Sequence, residues 1–455
     1  RTSPTSSSAS PQTASSTMPG ELPETYVDGW HDPDVLKKMD YRTMPKFGKV
    51  SVISFGASGL GGMFTAGEGS GLTDASASGG GSDAHWWQDD GDEARGRARE
   101  IVHMCLKAGV NLIDTSHWYG QGRSERLLGH ALSDVPRAAY YITTKIGRYE
   151  KDALGMFDFS YEKTYQAALD SLKRLRLDCV DSMQIHDPEF CPSVDLLLEQ
   201  TLPALQKLKE EGKVRFVGMT GYPLAVQQEI ITRSGVGIDT SLSCAAQFGR
   251  AIRPRNSAQF GARFSPSFST PCSGARSAQS SARLSDAAAP DFRHRYCHYS
   301  LNDTTLVSSG FVDFCAARQI ALINASPISM GLLCCGRDPP DWHPATAATK
   351  ALCKEAAAYC DSKGVDLAKI ALHFTLRESR VATTLISSTS VARMRANLDA
   401  CTGQTLSAAE EAAMGHVRDA IFAPKGTQSW EGVELAAYWE TVGKLLMTQR
   451  LYTKK

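Results

Sequence analysis

Residues 110–125 read VNLIDTSHWYGQGRSE. Val110, Leu112 and Ile113 form an apolar, strand-like run, and Asp114 follows directly, so its carboxylate emerges at the carboxyl end of a buried strand. Tyr119 stands five positions further on, with Gly120 and Gly122 between it and Glu125. In α/β proteins that edge is where chemistry collects, because strands fix the residues at their ends while loops leave them reachable.

Outward from this stretch, seven more runs of strand length recur: SVISFG (51–56), YYITT (140–144), VDSMQI (180–185), VRFVGM (214–219), IDTSLS (238–243), IALINA (320–325) and VATTLI (381–386). Between them lie segments with helical apolar spacing, among them 94–109, 164–177 and 196–212, the last ending in Gly212 as helices often do. Strand and helix alternating eight times predict a (β/α)8 TIM barrel. YRTM and KVSV around PKFG predict an N-terminal β-hairpin covering the barrel floor. FGASGLGG (55–62) departs from G-x-G-x-x-G, which disfavours a Rossmann domain.

The chain has 455 residues and 42% hydrophobic content, enough for one large barrel or two domains. Basic and acidic residues number 49 each, which gives no electrostatic reason for a nucleic acid or an anionic membrane as partner. No run of eighteen apolar residues predicts a membrane span. The twelve cysteines include no C-x-x-C pair, which argues against zinc sites and a secreted disulfide framework and fits a reduced, cytoplasmic setting.

Three stretches look foreign to a packed domain. Residues 1–17 are Ser/Thr-rich without acids and read as a disordered or non-native leader, either a transit-peptide remnant or sequence upstream of a start at Met18. Residues 66–83 are rich in Gly, Ser and Ala and predict a mobile loop. Residues 244–295 carry only two acids, Asp286 and Asp291, and show no sustained period of 2 or 3.6. Joining Ser243 to Tyr296 restores a strand, TSLSYCHY, so the insert reads as translated intron, with a lineage-specific loop as the alternative. Residues 18–455 are thus expected to form a single barrel domain with two disordered insertions.

The predicted strand ends gather polar residues: Asp114, with Tyr119 beyond it, then Lys145, His186 and Asp187, and Thr220. Hydride transfer at a carbonyl carbon needs a group that exchanges a proton with the oxygen, and tyrosine serves if its pKa of about 10 is lowered. Lysine favours the phenolate, a carboxylate keeps the lysine charged, and histidine orients the substrate oxygen. Each residue has an ordinary alternative: Asp114 as a turn cap, Tyr119 as packing, Lys145 as a solvated loop lysine, His186 as a satisfied core histidine. Four such coincidences on successive strands are much less probable than one.

GVNLIDTSHWYGQGRSE resembles the aldo-keto reductase motif G-x-N-x-x-D-T-(A/S)-x-x-Y-G-x-x-x-S-E, and the resemblance runs over roughly residues 41–400 apart from the inserts. FGASGLGGMF, ALQKLKEEGKVRFVGMTGYPL, YCHYSLNDTTL, ASPISMGLL and PPDWHPA are similar to the plant-type branch of that family that oxidises L-galactose. The resemblance implies NAD-dependent oxidation of the anomeric carbon to L-galactono-1,4-lactone, a step of ascorbate biosynthesis. Another aldose dehydrogenase, an aldehyde reductase, or a cofactor-binding regulatory subunit with little turnover are the alternatives. Asp114, Tyr119, Lys145 and His186 match the family's catalytic tetrad.

By the same resemblance, Thr220 meets the nicotinamide carboxamide and Tyr296 the nicotinamide ring, while Ser326, Pro327, Met330, Gly331 and Leu332 lie along the pyrophosphate. Ser387, Ser388, Ser390, Arg393 and Asn397 match the adenosine end, where a helix start suits phosphate. Ser387 stands where NADP-preferring members place a basic residue, which points to NAD, although Arg393 leaves NADP open. A small sugar is the expected partner. Its hydroxyls need donors and acceptors from loops, for which His117, Trp118, Asp187 and Trp342 are candidates; Glu189 and His343 read equally well as surface loop. Residues 404–455 are expected to pack outside the barrel without a chemical role.

Overall fold

The computed structural model describes residues 21–62, 91–243, 298–335, 343, 345–426, 428, 430 and 432–452. The leader, both insertions, Tyr296 and Trp342 lie outside the described residues.

Eight parallel strands close into a barrel: β3 (Ile53–Gly56), β4 (Leu112–Asp114), β5 (Tyr141–Ile146), β6 (Val180–His186), β7 (Val214–Gly221), β8 (Thr240–Ser243), β9 (Ala321–Ala325) and β10 (Thr383–Ile386), with β10 pairing β3. Every run expected to be a strand is one. The helices Asp92–Lys107 and Tyr161–Leu175 bury their apolar faces on the barrel wall in one core cluster with β3 to β7. Gly212 follows the helix Leu202–Glu210 with φ 70°, a left-handed conformation that costs glycine little. That helix is preceded by a π turn at Leu197–Thr201, where Pro203 has no N–H to continue the α-helical ladder.

The hairpin of β1 (Tyr41–Met44) and β2 (Gly48–Ser51) closes the amino-terminal end. Phe47 at its tip packs 4.3 Å from the Phe216 ring and 5.6 Å from Tyr141, whose hydroxyl donates to the Phe47 carbonyl at 2.7 Å. Met44, Phe47 and Val50 join Leu112, Leu242, Ile323 and Leu385 in a separate core cluster that fills the barrel floor. Reactants therefore have only the opposite, carboxyl-terminal mouth to work in.

At its junction, the joined strand TSLSYCHY lies outside the described residues. Beyond the insert, the described chain at His298–Ser300 does not extend a strand but bends, with Ser300 bridged to Asp303. Asn324 Nδ2 donates to the Tyr299 carbonyl at 3.0 Å and Leu306 N–H to the His298 carbonyl at 3.1 Å, which ties this bend to β9.

Candidate active site

The opening stretch resolves into one strand end and one anchored loop. Ser124 donates to the Ala57 carbonyl at 2.8 Å, and Glu125 accepts from Thr144 at 2.6 Å and Arg174 at 2.7 Å, so the Ser-Glu pair pins the loop to its neighbours. The backbones of Gly61 and Gly120 touch: a Cβ on Gly120 would lie 2.3 Å from the Gly61 oxygen, and Gly120 has φ 67°. Only glycine tolerates both constraints, and the contact fixes the loop carrying Tyr119.

Asp114, Tyr119, Lys145 and His186 come together at the ends of β4, β5 and β6, and all are buried. Lys145 Nζ donates to Asp114 Oδ2 at 2.6 Å, to the Thr115 carbonyl at 2.9 Å and to the Tyr119 hydroxyl at 3.1 Å. An ammonium has three N–H donors, and all three are used. Asp114 Oδ1 accepts from Thr143 at 2.8 Å and Gln184 at 3.0 Å. Burial of the Lys145 ammonium works against its charge, but Asp114 and Tyr119 beside it outweigh that and raise its pKa to about 12.

The tyrosine differs from expectation. Burial dominates and pushes the Tyr119 phenol up to about 12; the neighbouring Lys145 ammonium pulls it down without prevailing. Tyr119 is thus a protonated hydroxyl at neutral pH. His186 is held well below the usual histidine range by burial, reinforced by the positive charges of Lys145 and Arg148, so it is neutral. Its Nδ1 lies 3.2 Å from Ser116 Oγ, which already accepts from Trp118 N–H at 3.1 Å. This contact orients the imidazole, with Nε2 3.9 Å from the Asp187 carboxylate.

Around the rest of the mouth stand the residues expected to hold a nicotinamide cofactor. Thr220, next to last in β7, has its hydroxyl buried and unpartnered, and Asn324 on β9 has an unpartnered buried Oδ1. A carboxamide, which both donates and accepts, suits such a pair. Ser326, Pro327, Met330, Gly331 and Leu332 form the loop after β9, where Ser326, Ser329, Met330 and Gly331 have φ of 55°, 48°, 56° and 96°. Ser387 and Ser388 follow β10, and Ser390 caps the helix Val391–Cys401, its Oγ accepting from Arg393 N–H at 3.4 Å. Arg393 is exposed in the first turn of this helix, and Asn397 is half-buried one turn on. Gly59 lies beside this end, where a Cβ would come within 2.9 Å of Thr389 and 3.2 Å of Ser387. The residues present fit a dinucleotide laid from β7 round to β3, with a helix start and an arginine for its phosphate end. Barrel order thus separates an acid/base side on β4 to β6 from a cofactor side on β7 to β10.

The candidate substrate residues divide. Trp118 and Asp187 are buried next to the tetrad, and the Asp187 carboxylate lies 3.9 Å from His186 Nε2. His117 packs its ring 6.0 Å from Tyr149 and has Arg174, Glu125, Lys163 and Arg126 as its charged neighbours, which places it on the helical layer. Glu189 and His343 are not surface loop. Glu189 Oε1 accepts from Tyr222 N–H at 2.9 Å, and His343 is buried with Nε2 3.1 Å from the Ser329 carbonyl.

The sequence reading missed two groups. Arg148, two residues past β5, is fully buried and binds Asp187 at 2.8 Å and Glu434 at 3.1 Å, over the Trp118 ring. Glu434 belongs to the C-terminal helix Val433–Tyr452, whose Tyr438 sits 5.3 Å from both Phe157 and Phe190 in one cluster with Trp118 and Tyr119. The C-terminal region lies outside the barrel strands, as expected, but its last helix also reaches residues beside the tetrad. Arg148 follows a glycine and no motif marks it, although a charged residue just beyond a strand run was a signal within reach.

Comparison with known proteins agrees with this geometry. The profile of the aldo/keto reductase family matches residues 83–242 and 275–418. L-galactose dehydrogenase of Arabidopsis thaliana is 31% identical over 399 residues, spanning 87% of this chain and 98% of the relative. D-arabinose 1-dehydrogenase of Saccharomyces cerevisiae is 27% identical, spanning 61% of this chain and 68% of the relative. Among solved structures, aldo-keto reductase AKR11C1 from Bacillus halodurans superposes with a TM-score of 0.55 at 21% identity, over 84% of this chain and 97% of that one.

Proposed function

Because the chain belongs to the aldo/keto reductase family, and is thereby an oxidoreductase acting on CH–OH groups with a nicotinamide cofactor, we propose that it oxidises L-galactose with NAD to L-galactono-1,4-lactone, the lactone that feeds ascorbate synthesis. The observation that carries this reading is the triple contact of Lys145, which binds Asp114 and Tyr119 at once in a site sealed from solvent.

In this reading the anomeric hydroxyl lies between Tyr119 Oη and His186 Nε2. The cofactor, when bound, accepts hydride from the anomeric carbon. Tyr119 takes the hydroxyl proton, His186 keeps the oxygen in line, and Lys145 stabilises the phenolate form that has to be reached first. Asp114 keeps the ammonium oriented and charged. Proximity together with a tuned proton acceptor supplies the acceleration, general-base assistance being worth about 10²–10⁴-fold.

NAD rather than NADP is favoured because Ser387, not a basic residue, stands at the start of the loop after β10. Substrate assignment leans on the 31% identity to L-galactose dehydrogenase over nearly the whole of that relative. The test is purified protein with L-galactose and either NAD or NADP, followed by absorbance of the reduced cofactor. Turnover with L-galactose well above that with a panel of other aldoses, and faster with NAD, is the expected result; a faster rate with another aldose reassigns the substrate.

A further inference from the structure

Below the tetrad the barrel interior holds buried polar side chains, Thr143 and Gln184 among them. Gln184 pairs in register with Lys145 of β5 and stands two residues before His186 on β6, so the three side chains leave the sheet on one face. Its Nε2 donates to Asp114 Oδ1 at 3.0 Å and to Thr143 Oγ1 at 2.9 Å, while the Thr143 hydroxyl donates to the same Asp114 oxygen at 2.8 Å. Gly218, the register partner on β7, leaves space for this side chain: a Cβ there would lie 3.0 Å from Gln184 Cγ. Both amide N–H bonds and the single hydroxyl of Thr143 are thus directed at Asp114 or at one another, and Asp114 Oδ1 only accepts. The consequence lies on the other side of the amide, where Gln184 Oε1 is buried without a hydrogen-bond partner. A buried acceptor left unpaired is unfavourable. Turning the amide over would set that oxygen against Asp114 Oδ1, acceptor facing acceptor. The arrangement supplies Asp114 with donors and leaves Gln184 one bond short.

We infer that Gln184 is a positioning residue for the reaction: with Thr143 it clamps one oxygen of Asp114, so that the other oxygen holds Lys145 against the Tyr119 hydroxyl. The inference rests on the proposed proton transfer at Tyr119 and names what keeps that geometry in place. A carboxylate bound at Oδ2 alone, by Lys145 at 2.6 Å, can turn about its Cβ–Cγ bond, and the ammonium then follows it away from the phenol now 3.1 Å distant. Two donors at Oδ1 stop that rotation. Misplacement of a catalytic group by about 1 Å is enough to slow a reaction severely. Gln184 acts through Asp114 and Lys145, not on the substrate itself.

The test is a pair of variants in the full chain. Gln184→Met keeps the length of the side chain and removes both donors. Its kcat for L-galactose oxidation is expected to fall about tenfold or more, while KM and the dissociation constant for NAD, read by fluorescence titration, stay within about twofold of wild type. Gln184→Glu keeps the shape and makes the clamp titratable. Asp114 and Lys145 are the charged groups next to position 184, with Tyr119 and His186 one layer nearer the mouth. Protonated, the new carboxyl still donates to Asp114; ionised, it opposes that charge. Oxidation by this variant is expected to fall as pH rises through about 6 to 9, whereas the wild-type rate rises because Tyr119 has to lose its proton. A wild-type kcat for Gln184→Met, a loss of NAD affinity as large as the loss of kcat, or a Gln184→Glu profile parallel to wild type overturns the inference. Should methionine prevent folding, Gln184→Glu carries the test by itself, since its two protonation states are compared within one protein. Reduction of 4-nitrobenzaldehyde is expected to show the same loss of kcat in both variants. Wild type that reduces this aldehyde but leaves L-galactose untouched counts against the proposed substrate alone, and the aldehyde then reads the variants.

Discussion

Lys145 lies 3.1 Å from the Tyr119 hydroxyl and 2.6 Å from Asp114, yet the phenol beside it is less acidic than tyrosine in water. A lysine that neutralises a carboxylate has only part of its field left for a second neighbour, and burial penalises the phenolate more than that remainder rewards it. The phenol is consequently poised to give a proton, and oxidation has to begin by losing that proton to solvent.

Oxidation should therefore depend on alkali. With Tyr119 pushed up to about 12, the phenolate fraction rises about tenfold per pH unit below that value. The oxidation rate under chemistry-limited conditions is expected to climb from pH 7 to 10, and the reverse reduction to be flat or falling. Neutral His186 should add no inflection between pH 5.5 and 8. A pH–rate profile in both directions checks this, and an oxidation rate independent of pH contradicts it.

Tyr119→Phe removes the proton acceptor and leaves the ring in place. Turnover is expected to fall by about 10²–10⁴-fold, with the dissociation constant for NAD, read by fluorescence titration, within twofold of wild type. Retained activity would remove Tyr119 from the chemistry.

Gly61→Ala pushes a methyl to 2.4 Å from the Tyr119 carbonyl carbon. The loop must shift by a few tenths of an ångström or more, moving the phenol relative to Lys145. A fall in kcat larger than any change in melting temperature is expected; equal kcat shows that the loop absorbs the methyl.

Arg148→Met leaves Asp187 and Glu434 without their shared cation in a buried setting. Breaking such a pair costs about 3–5 kcal/mol, so urea unfolding should show a loss of that order. A loss below about 1 kcal/mol, the range of exposed pairs, would mean that water reaches the guanidinium.

Most of the architecture was legible because barrel strands are short apolar runs bounded by polar ends, and hairpin, barrel and tetrad all followed from that pattern. Other features were not. The acidity of Tyr119 depends on how completely the site is buried, and burial is a property of the assembled mouth rather than of any local stretch. Arg148 and Glu434 are separated by 286 positions, and nothing in the near-featureless periodicity of the C-terminal helix announces which side faces the barrel mouth. The π turn at Leu197–Thr201 was likewise hidden inside a helical pattern, marked only by Pro203.

The helix Val433–Tyr452 brings Glu434 and Tyr438 to the mouth after all eight strands have been laid down in the chain. A chain cut before Val433 would hold every strand and the entire tetrad but neither Glu434 nor Tyr438. Cylinder and chamber wall thus come from separate parts of the chain, and a deletion that spares every strand still strips Arg148 of one of its two carboxylates.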